Sequence, residues 1–545
     1  MANTLFSITE TSNKIASKKT FSIGELAEAI DGKIYGFNDF YSKKGFNGIF
    51  ETLNEAVSGD IVIRHWINGK GVEIASDKDI ACLITLNPTE DALEKAEELA
   101  FPVIVVKKIQ FATAFALKWT VENLVPNSKR VVISGTNGKS TTSHMIHHIL
   151  KNSGYNVFTN TDAESEFNTL IDPMVAKMIS EQVIEAQDVD VRSLDYVADI
   201  PNKSVFDYIV VEVSEVQGWG EELMKNHALV MSSALNPNVG VVTNVAMDHI
   251  GLVNSLDEVY DETSGIVKAI NKDAIVLNYD DKRVLNMLEF LNNDVNSFFT
   301  SMDEVAISNY DIDKNNNVVN EDNKVFFSKS KNAIIVKGKS ILNFDELPFN
   351  SEHFIRNILS SISACLALNL SINDIVEGVK NYKPLDRRFI KLSDEPIIID
   401  DFAHNPDGVK ATIRASSTLA NDLNKKELYV VFGIRGSRGE ELNGLISQAI
   451  AEVINELDSE NDRKIKLFLS SSIDYVNSLN TVKDFEKAIF TSTLDKNGVD
   501  YTHYDNLVDV LKDVYNLASK DDVILLIGAQ GMDPAESVLT DLGYI

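Results

Sequence analysis

A short run of glycines, hydroxyl side chains and one lysine carries the clearest chemistry in this 545-residue sequence. The run follows an apolar strand that ends at Ile133, and it precedes a segment with apolar residues at helical spacing. It reads Ser134, Gly135, Thr136, Asn137, Gly138, Lys139, Ser140 and Thr141. In a strand, glycine loop and helix of this order, backbone N–H groups and the helix amino end bind phosphate oxygens. We predict that Gly135 to Thr141 hold a nucleotide, that Lys139 meets the β- and γ-phosphates, and that the Ser140 hydroxyl ligates Mg²⁺.

The loop differs from the common P-loop signature in one place. That signature has a glycine five residues before Gly138, where this sequence has Ile133. The loop is therefore not the usual one of GTPases and motor ATPases. The alternative interpretation is a structural turn between a strand and a helix.

The elements around this loop predict an α/β fold. Residues 1–127 combine a short helix, Ile23 to Ile30 and closed by Gly32, with apolar strands, and they end in a helix that stops near Pro126. Residues 128–383 alternate helices with continuous Val/Ile strands, which is typical of a parallel sheet covered on both faces.

The remaining residues, 384–545, resume the alternation and predict a second, smaller doubly wound sheet. The segment Lys383 to Leu385 between the two sheets is the candidate hinge. A polar stretch from Asp311 to Lys324 is interpreted as hairpins or a surface insertion.

Composition excludes several classes of protein. The formal charge of −30 argues against nucleic-acid binding and against docking on anionic lipid, because such a surface repels phosphate. A pocket can still concentrate local Lys and Arg against this field. Cys82 and Cys365, the two cysteines, lie in apolar contexts, which excludes a disulfide scaffold and a cysteine-based zinc site. Without a signal peptide or an apolar run of bilayer length, we expect a soluble cytoplasmic protein with no membrane insertion.

Several further segments, taken in order with the loop, resemble the motifs of the Mur ligase superfamily of ATP-dependent amide ligases. The short Gly-Thr-Asn-Gly-Lys-Ser-Thr form of the loop is similar to that family's own. The other matching blocks are Val210 to Ser214, Val242 to His249, Leu277 to Asp281, His353 to Asn357, Pro384 to Arg388, Asp400 to Pro406, Phe432 to Arg438 and Gly528 to Gly531. The last two depart from the family's Gly-Gly-Asp-Arg and Gly-Lys-Gly-His patterns.

The resemblance implies a three-domain architecture with a central P-loop ATPase domain and a C-terminal Rossmann-like domain. It also implies ATP and two magnesium ions, with Lys139, Glu212 and His249 catalytic and with Ser140, Glu212 and His249 as metal ligands. The nucleotide contacts it adds to the loop are Asn357, Arg388, Asp401 and His404. Each residue has a structural alternative: Glu212 as a solvated strand-end charge, His249 as a hydrogen-bonded loop histidine, Asp401 and His404 as part of a turn.

The reaction that the resemblance implies is amide formation through an acyl phosphate. A carboxylate attacks the γ-phosphate of ATP, and an amine then displaces phosphate. Many family members also carry a carbamylated lysine that bridges to the second magnesium. Alignment on Tyr260 puts Ser264 at that position, with Lys268 four residues further on. Either Lys268 serves from a reshaped loop or the chain manages without the modification.

The first domain decides the acceptor in this family. Ser22 to Gly32 resembles the opening helix of the later muramyl-peptide ligases, whose first domain binds the UDP part of a UDP-sugar-peptide. The diaminopimelate-selecting Asp-Asn-Pro-Arg motif is replaced by Leu469 to Asp474. We therefore expect an amino acid to be added to a UDP-linked precursor of pseudomurein or murein type. The alternatives are a cyanophycin or poly-γ-glutamate type of polyamide ligase and an inactive nucleotide-binding scaffold.

Overall fold

The computed structural model describes residues 10–37, 44–161, 174–187, 205–219, 222–248, 252–311, 319–348, 351–460, 464–478 and 480–545. Its first sheet has five strands in the order β1-β5-β4-β3-β2, parallel except for the β1–β5 pair. The strands are β1 (Gly32–Tyr35), β2 (Phe50–Glu51), β3 (Ile61–Ile67), β4 (Cys82–Pro88) and β5 (Val103–Val106). Its helices include α1 (Ile23–Ala29), α2 (Gly69–Asp77), α3 (Glu90–Leu99) and α4 (Ile109–Asn123).

Two predicted helix ends in this unit lie too far along the chain. The predicted helix to Ile30 stops at Ala29, because Asp31 takes a left-handed conformation (φ 53°) and Gly32 already starts β1. The helix predicted to stop near Pro126 ends at Asn123. The first helix ends where the chain turns into β1, and the second ends where a short linker to the central sheet begins.

The central sheet has nine strands in the order β16-β15-β14-β13-β12-β11-β6-β8-β7. Its strands are β6 (Lys129–Ser134), β7 (Val157–Thr159), β8 (Tyr208–Glu212), β11 (Val239–Val242), β12 (Ala274–Asn278), β13 (Asn296–Ser301), β14 (Lys324–Ser328), β15 (Ala333–Val336) and β16 (Lys339–Asn343), while β9 (Gly218–Trp219) and β10 (Glu222–Leu223) form a separate ribbon. The pairs from β7 to β14 are parallel, and β14, β15 and β16 continue as antiparallel hairpins. These hairpins begin at Lys324, where the polar stretch ends, and residues 312–318 of that stretch lie outside the described part, so the interpretation of the stretch stays a prediction.

The helices of this central unit cover both faces of its sheet. They are α5 (Lys139–Asn152), α6 (Met174–Gln187), α7 (His227–Leu235), α8 (Leu256–Thr263), α9 (Gly265–Ala269), α10 (Lys282–Asn286), α11 (Glu304–Ser308), α12 (Glu352–Ala367) and α13 (Ile372–Lys380). Helices α5, α12 and α13 bury Ile149, Ile358 and Ile375 in one core, as continuous Val/Ile strands require of a two-sided sheet.

The third sheet has six strands in the order β17-β18-β22-β19-β20-β21, with only the edge strand β17 antiparallel. The strands are β17 (Ile390–Asp394), β18 (Ile397–Asp401), β19 (Leu428–Gly433), β20 (Ile465–Ser470), β21 (Tyr501–Tyr504) and β22 (Val523–Ile527). The helices are α14 (Pro406–Asp422), α15 (Gly439–Glu460), α16 (Asp484–Lys496), α17 (Leu507–Leu517) and α18 (Ala535–Asp541). It is smaller than the central sheet, as predicted.

The first and central sheets share a hydrophobic core. Phe115 and Trp119 of α4 belong to the same buried cluster as Ile209 of β8 and Ile266 of α9. The guanidinium of buried Arg130 donates to backbone carbonyls of Val121, Pro126 and Leu235, so it fixes the end of α4 against β6. No helix among the described residues is long and apolar enough to cross a membrane.

Candidate active site

The loop between β6 and α5 has a backbone that only glycine adopts readily at two positions. Gly135 has a φ of 123° and Gly138 a φ of 83°. A Cβ at Gly135 would overlap Thr243 and the backbone of Asn244, and one at Gly138 would overlap the side-chain oxygen of Asn357. The two glycines therefore permit the left-handed turns and the close approach of neighbouring elements.

The segment after β11 holds this loop in place. The Asn137 N–H donates to Oδ1 of Asn244 (3.0 Å), and the Asn137 carbonyl accepts from Nδ2 of Asn244 (2.7 Å) and from the Thr243 hydroxyl (2.7 Å). The Thr136 hydroxyl exchanges hydrogen bonds with the backbone of Ala246. Since β6 and β11 are parallel neighbours, their carboxyl ends bring these segments together.

Lys139, the first residue of α5, points its amine toward a buried carboxylate. Its Nζ donates to Oε2 of Glu215 (2.8 Å) and to the carbonyls of Gly135 (2.8 Å) and Thr136 (3.0 Å). Burial opposes the charged amine, yet the carboxylates of Glu215 and Glu212 outweigh it and raise the pKa of Lys139 above its ordinary value. The lysine is therefore charged at neutral pH.

Glu212 ends β8, beside Ile133 of β6. Its backbone is fixed by Asn160, whose side chain bonds both the N–H (2.8 Å) and the carbonyl (3.0 Å) of Glu212. Burial raises the pKa of Glu212, against the opposing effects of Lys139 and a hydrogen bond from Ser140. Within the described residues, its buried Oε2 has no hydrogen-bond partner.

This donor set fits a hard cation. A hydroxyl at Ser140 and a buried carboxylate oxygen at Glu212 are ligands that Mg²⁺ and Mn²⁺ prefer, and a bound cation would satisfy the unpartnered oxygen. His249, the third predicted metal ligand, lies outside the described residues. Its role stays a prediction.

The third sheet contributes a wall opposite the loop. Asp401 ends β18, accepts from the Ala403 N–H (2.8 Å) and the Thr412 hydroxyl (3.1 Å), and has its pKa raised by burial against the opposing charge of Arg388. The His404 ring packs edge-on against Phe402, and its Nδ1 lies 2.8 Å from the Phe402 carbonyl oxygen.

Asn405 connects this wall directly to the loop. Its Nδ2 donates to Oδ1 of Asn137 (2.9 Å) and to Oδ2 of Asp248 (3.2 Å), while its Oδ1 accepts from the Gly408 N–H (2.8 Å) and caps α14. One side chain thus serves both as a helix cap and as a bridge between the third sheet and the phosphate loop.

These elements enclose a cavity of about 1260 Å³ between the central and third sheets. Of the predicted nucleotide and metal residues, it is lined by Thr136, Asn137, Gly138, Lys139, Ser140, Thr141, Glu212, Asn357, Arg388, Asp401 and His404. Seven Lys and Arg and six Asp and Glu line it, so its charge is slightly positive in a chain whose formal charge is −30. Such a lining suits a polyanion with a bound cation.

Gly135, Ser264 and Lys268 do not line the cavity. Gly135 starts the loop outside the cavity lining, and its carbonyl accepts a hydrogen bond from Nζ of Lys139. The Ser264 hydroxyl donates to the Asp261 carbonyl, and Nζ of Lys268 lies 4.2 Å from the centre of the Phe290 ring. Neither Ser264 nor Lys268 is placed to carry a carbamate facing the cavity.

The sequence patterns did not predict the roles of three groups of residues at the site. Asn405 and Asp248 lie inside motifs that resemble the family's. The sequence therefore located both residues, but it did not predict the hydrogen bond between them. Glu215 had no signal, because only the fold brings it to Lys139. Arg435 and Arg438 line the cavity from the loop after β19, where the sequence departs from the family pattern.

A glycine loop at the carboxyl edge of a parallel sheet, with charged groups facing it across a cavity, defines a nucleotide-binding α/β protein. Comparison with known proteins specifies the family. Residues 133–365 match the Mur ligase middle domain, and residues 387–530 match the Mur ligase glutamate ligase domain. The chain belongs to the Mur ligase superfamily, and it is an ATP-dependent amide-bond-forming ligase with the α/β, three-domain architecture of that family.

Individual relatives are distant. The chain is 24% identical to a UDP-N-acetylmuramate–L-alanine ligase of Clostridium acetobutylicum over 411 residues, which is 73% of this chain and 72% of that protein. Alignments to the same ligase from Clostridium kluyveri and Clostridium botulinum span 58% and 56% of those proteins.

Among solved structures, a MurF from Acinetobacter baumannii superimposes with a TM-score of 0.64 at 16% identity, covering 96% of this chain and 98% of that one. A MurF ligase from Thermotoga maritima in complex with ADP gives a TM-score of 0.56 at 14% identity, covering 91% and 96%. At these identities the structures show the shared fold.

Proposed function

We propose that this chain adds an amino acid to a UDP-linked cell-wall peptide precursor, of pseudomurein or murein type, and releases ADP and phosphate. The observation that carries the proposal is the cavity in which Lys139, Ser140 and Glu212 face Arg388 and other groups of the third sheet. The relatives that are named as muramyl-peptide ligases supply the acceptor class.

The loop residues would bind the triphosphate of ATP. Backbone N–H groups of residues 136–141 and the amino end of α5 would receive the phosphates, with Lys139 at the β- and γ-phosphates. Ser140, Glu212 and His249 would hold magnesium, which supplies charge neutralisation when bound. Asn357, Arg388, Asp401 and His404 would complete the nucleotide site from the other side of the cavity.

Catalysis by these residues would consist of positioning and charge stabilisation. The acceptor carboxylate must approach the γ-phosphate, and two anions come together only where positive groups such as Lys139 and Arg388 offset their repulsion. The Asn405 bridge holds the third sheet against the loop, so it would keep water away from the acyl phosphate. The incoming amine would then displace phosphate from the acyl carbon.

The sheets suggest how the chain divides these tasks. We propose domains at residues 1–127, 128–383 and 384–545, with the hinge at Lys383 to Leu385. The strands of the three sheets run from Gly32 to Val106, from Lys129 to Asn343 and from Ile390 to Ile527, which supports these bounds. The first domain would bind the UDP part of the precursor.

The test is an assay of phosphate release from ATP with UDP-linked precursors of both types and with each amino acid. The proposal predicts release only when a UDP-linked acceptor, magnesium and one matching amino acid are all present. Hydroxylamine added during turnover should trap the activated carboxyl as a hydroxamate.

Two other results would each replace the proposed function with one of its alternatives. Turnover with a free peptide polymer but with no UDP precursor would indicate a polyamide ligase. Absence of nucleotide turnover with every acceptor would indicate an inactive nucleotide-binding scaffold.

A further inference from the structure

The amine of Lys139 has all three of its hydrogens committed inside the protein. Its acceptors are the carbonyls of Gly135 and Thr136 and the carboxylate of Glu215, at 2.8, 3.0 and 2.8 Å. A lysine amine has three donors. A phosphate oxygen can therefore bond Nζ only if one of these acceptors gives way.

Glu215 bonds the loop through Lys139, and its charge also acts on the nearby carboxylate of Glu212. It follows β8 by three residues, its side chain has no exposure to solvent, and it does not line the cavity. The nearby His227 is buried, and burial lowers its pKa to about 4, so that it is neutral at pH 7. The charge of Lys139 therefore stabilises this buried carboxylate at the loop.

We propose that Glu215 is a positioning residue that holds Lys139 in the nucleotide-free site and competes with the nucleotide phosphates for its amine. The proposal rests on the phosphate-binding role given to Lys139 in the proposed function. Phosphates prevail when bound, since they carry several charges and also receive the loop N–H groups. Glu215 nevertheless lowers the net affinity, because every binding event replaces an existing charged hydrogen bond.

The consequence for turnover is faster loss of ADP. Seven Lys and Arg against six Asp and Glu leave the cavity slightly positive, which favours retention of a nucleoside diphosphate. Once the phosphates leave, the carboxylate of Glu215 again accepts a hydrogen bond from the Lys139 amine. Product release limits the rate of many enzymes, so a built-in competitor for the key cation would raise kcat while it raises KM for ATP.

The test is the Glu215→Gln variant, which keeps the size and one acceptor oxygen of the side chain but removes the charge. ADP binding in the presence of Mg²⁺ is measured by calorimetry, and ADP release by stopped-flow. We expect the Kd of ADP to fall about tenfold, a typical difference between a charged and a neutral hydrogen bond, with a matching slower release. KM for ATP should fall together with kcat.

The matched control is Glu262→Gln. Glu262 is another buried glutamate of the central unit, accepts from the Asn226 N–H (2.7 Å) and does not line the cavity. Its variant should bind ADP as the parent does. A general loss of packing weakens binding, so tighter binding by Glu215→Gln alone cannot come from structural damage.

Unchanged or weaker ADP binding by folded Glu215→Gln would overturn the inference while leaving the proposed function intact. Absence of ADP binding by the unaltered chain would instead overturn the proposed function, and this inference with it. If the glutamine variant does not fold, Glu215→Asp retains the charge on a shorter arm. It should bind ADP more tightly than the parent by a smaller factor, and equal or weaker binding would refute competition.

Discussion

At the Asn405 bridge, one substitution removes the two hydrogen bonds that the side chain donates and keeps the one that it accepts. In Asn405→Asp, the oxygen that caps α14 through the Gly408 N–H is retained, while the NH₂ group becomes a carboxylate oxygen. That oxygen would face Oδ1 of Asn137 and the carboxylate of Asp248, both acceptors. The helix cap should strengthen, because a negative charge is favourable at a helix amino end.

The magnitude can be worked out from the two lost hydrogen bonds. One joins neutral amides and contributes about 1 kcal/mol, and the other ends on a carboxylate and contributes about 2 kcal/mol. If ligation requires the third sheet against the loop, kcat/KM should fall about a hundredfold, since each 1.4 kcal/mol is a factor of about ten. Like-charge repulsion between the new carboxylate and that of Asp248 would add to this loss.

The assay is phosphate release at limiting substrate, accompanied by a thermal melt. The matched control is Asn455→Asp, which makes the same change at an exposed residue of α15 whose amide donates to the Asn497 carbonyl. The control should keep full activity. An Asn405→Asp enzyme that melts normally and retains kcat/KM within about twofold would refute the view that this bridge is needed for chemistry.

Three further results are expected. Lys139→Ala should abolish phosphate release and lower the melting temperature, because buried Glu215 loses its partner; activity comparable to that of the parent would remove the phosphate role. Glu212→Gln should raise the Mg²⁺ concentration for half-maximal activity by about tenfold or more, measured by titrating the assay, since an ionised ligand becomes neutral; an unchanged requirement would place the metal elsewhere. Burial lowers the pKa of His227 to about 4, below its ordinary 6.5, so the unfolded chain binds more protons between these values and stability is lost as pH falls through them. Urea unfolding at pH 7.5 and 4.5 should show that His227→Gln removes about 2 kcal/mol of this loss, and an identical pH dependence in the variant would contradict the assigned pKa.

The parts of the fold that local sequence determines could be predicted. Val131 to Ile133 is fully buried because it lies mid-sheet between two parallel neighbours, as its unbroken apolar character indicates. The order of strand, Gly135 to Ser140 and helix placed the loop correctly, because both glycines are needed for backbone angles that the chain itself must adopt.

Contacts between distant segments could not be predicted from spacing. Glu215 meets Lys139 because β6 and β8 are adjacent in the sheet, although 76 residues separate the pair. Arg130 is buried against three backbone carbonyls, from α4, from α7 and from the linker after α4, and nothing in its neighbours distinguishes it from an exposed arginine. The topology of the sheets determines which residues become such partners. A sequence pattern shows that a charged residue is present but does not identify the group that it contacts.

Internal contacts of this kind would also let an acidic chain bind the proposed nucleotide selectively. In the nucleotide-free site, Lys139 is neutralised by Glu215, and Asn137 is bonded to Asn405 and to Asn244. A ligand that offers a single charge cannot replace several of these contacts at once, whereas a triphosphate with its cation offers an acceptor or a charge at each position. A formal charge of −30 disfavours extended polyanions such as nucleic acid, while the cavity would accept a compact polyanion that a cation has partly neutralised. If the cavity binds the nucleotide as proposed, the number of internal contacts that must be exchanged together would favour a nucleotide with bound metal over free phosphate or nucleic acid.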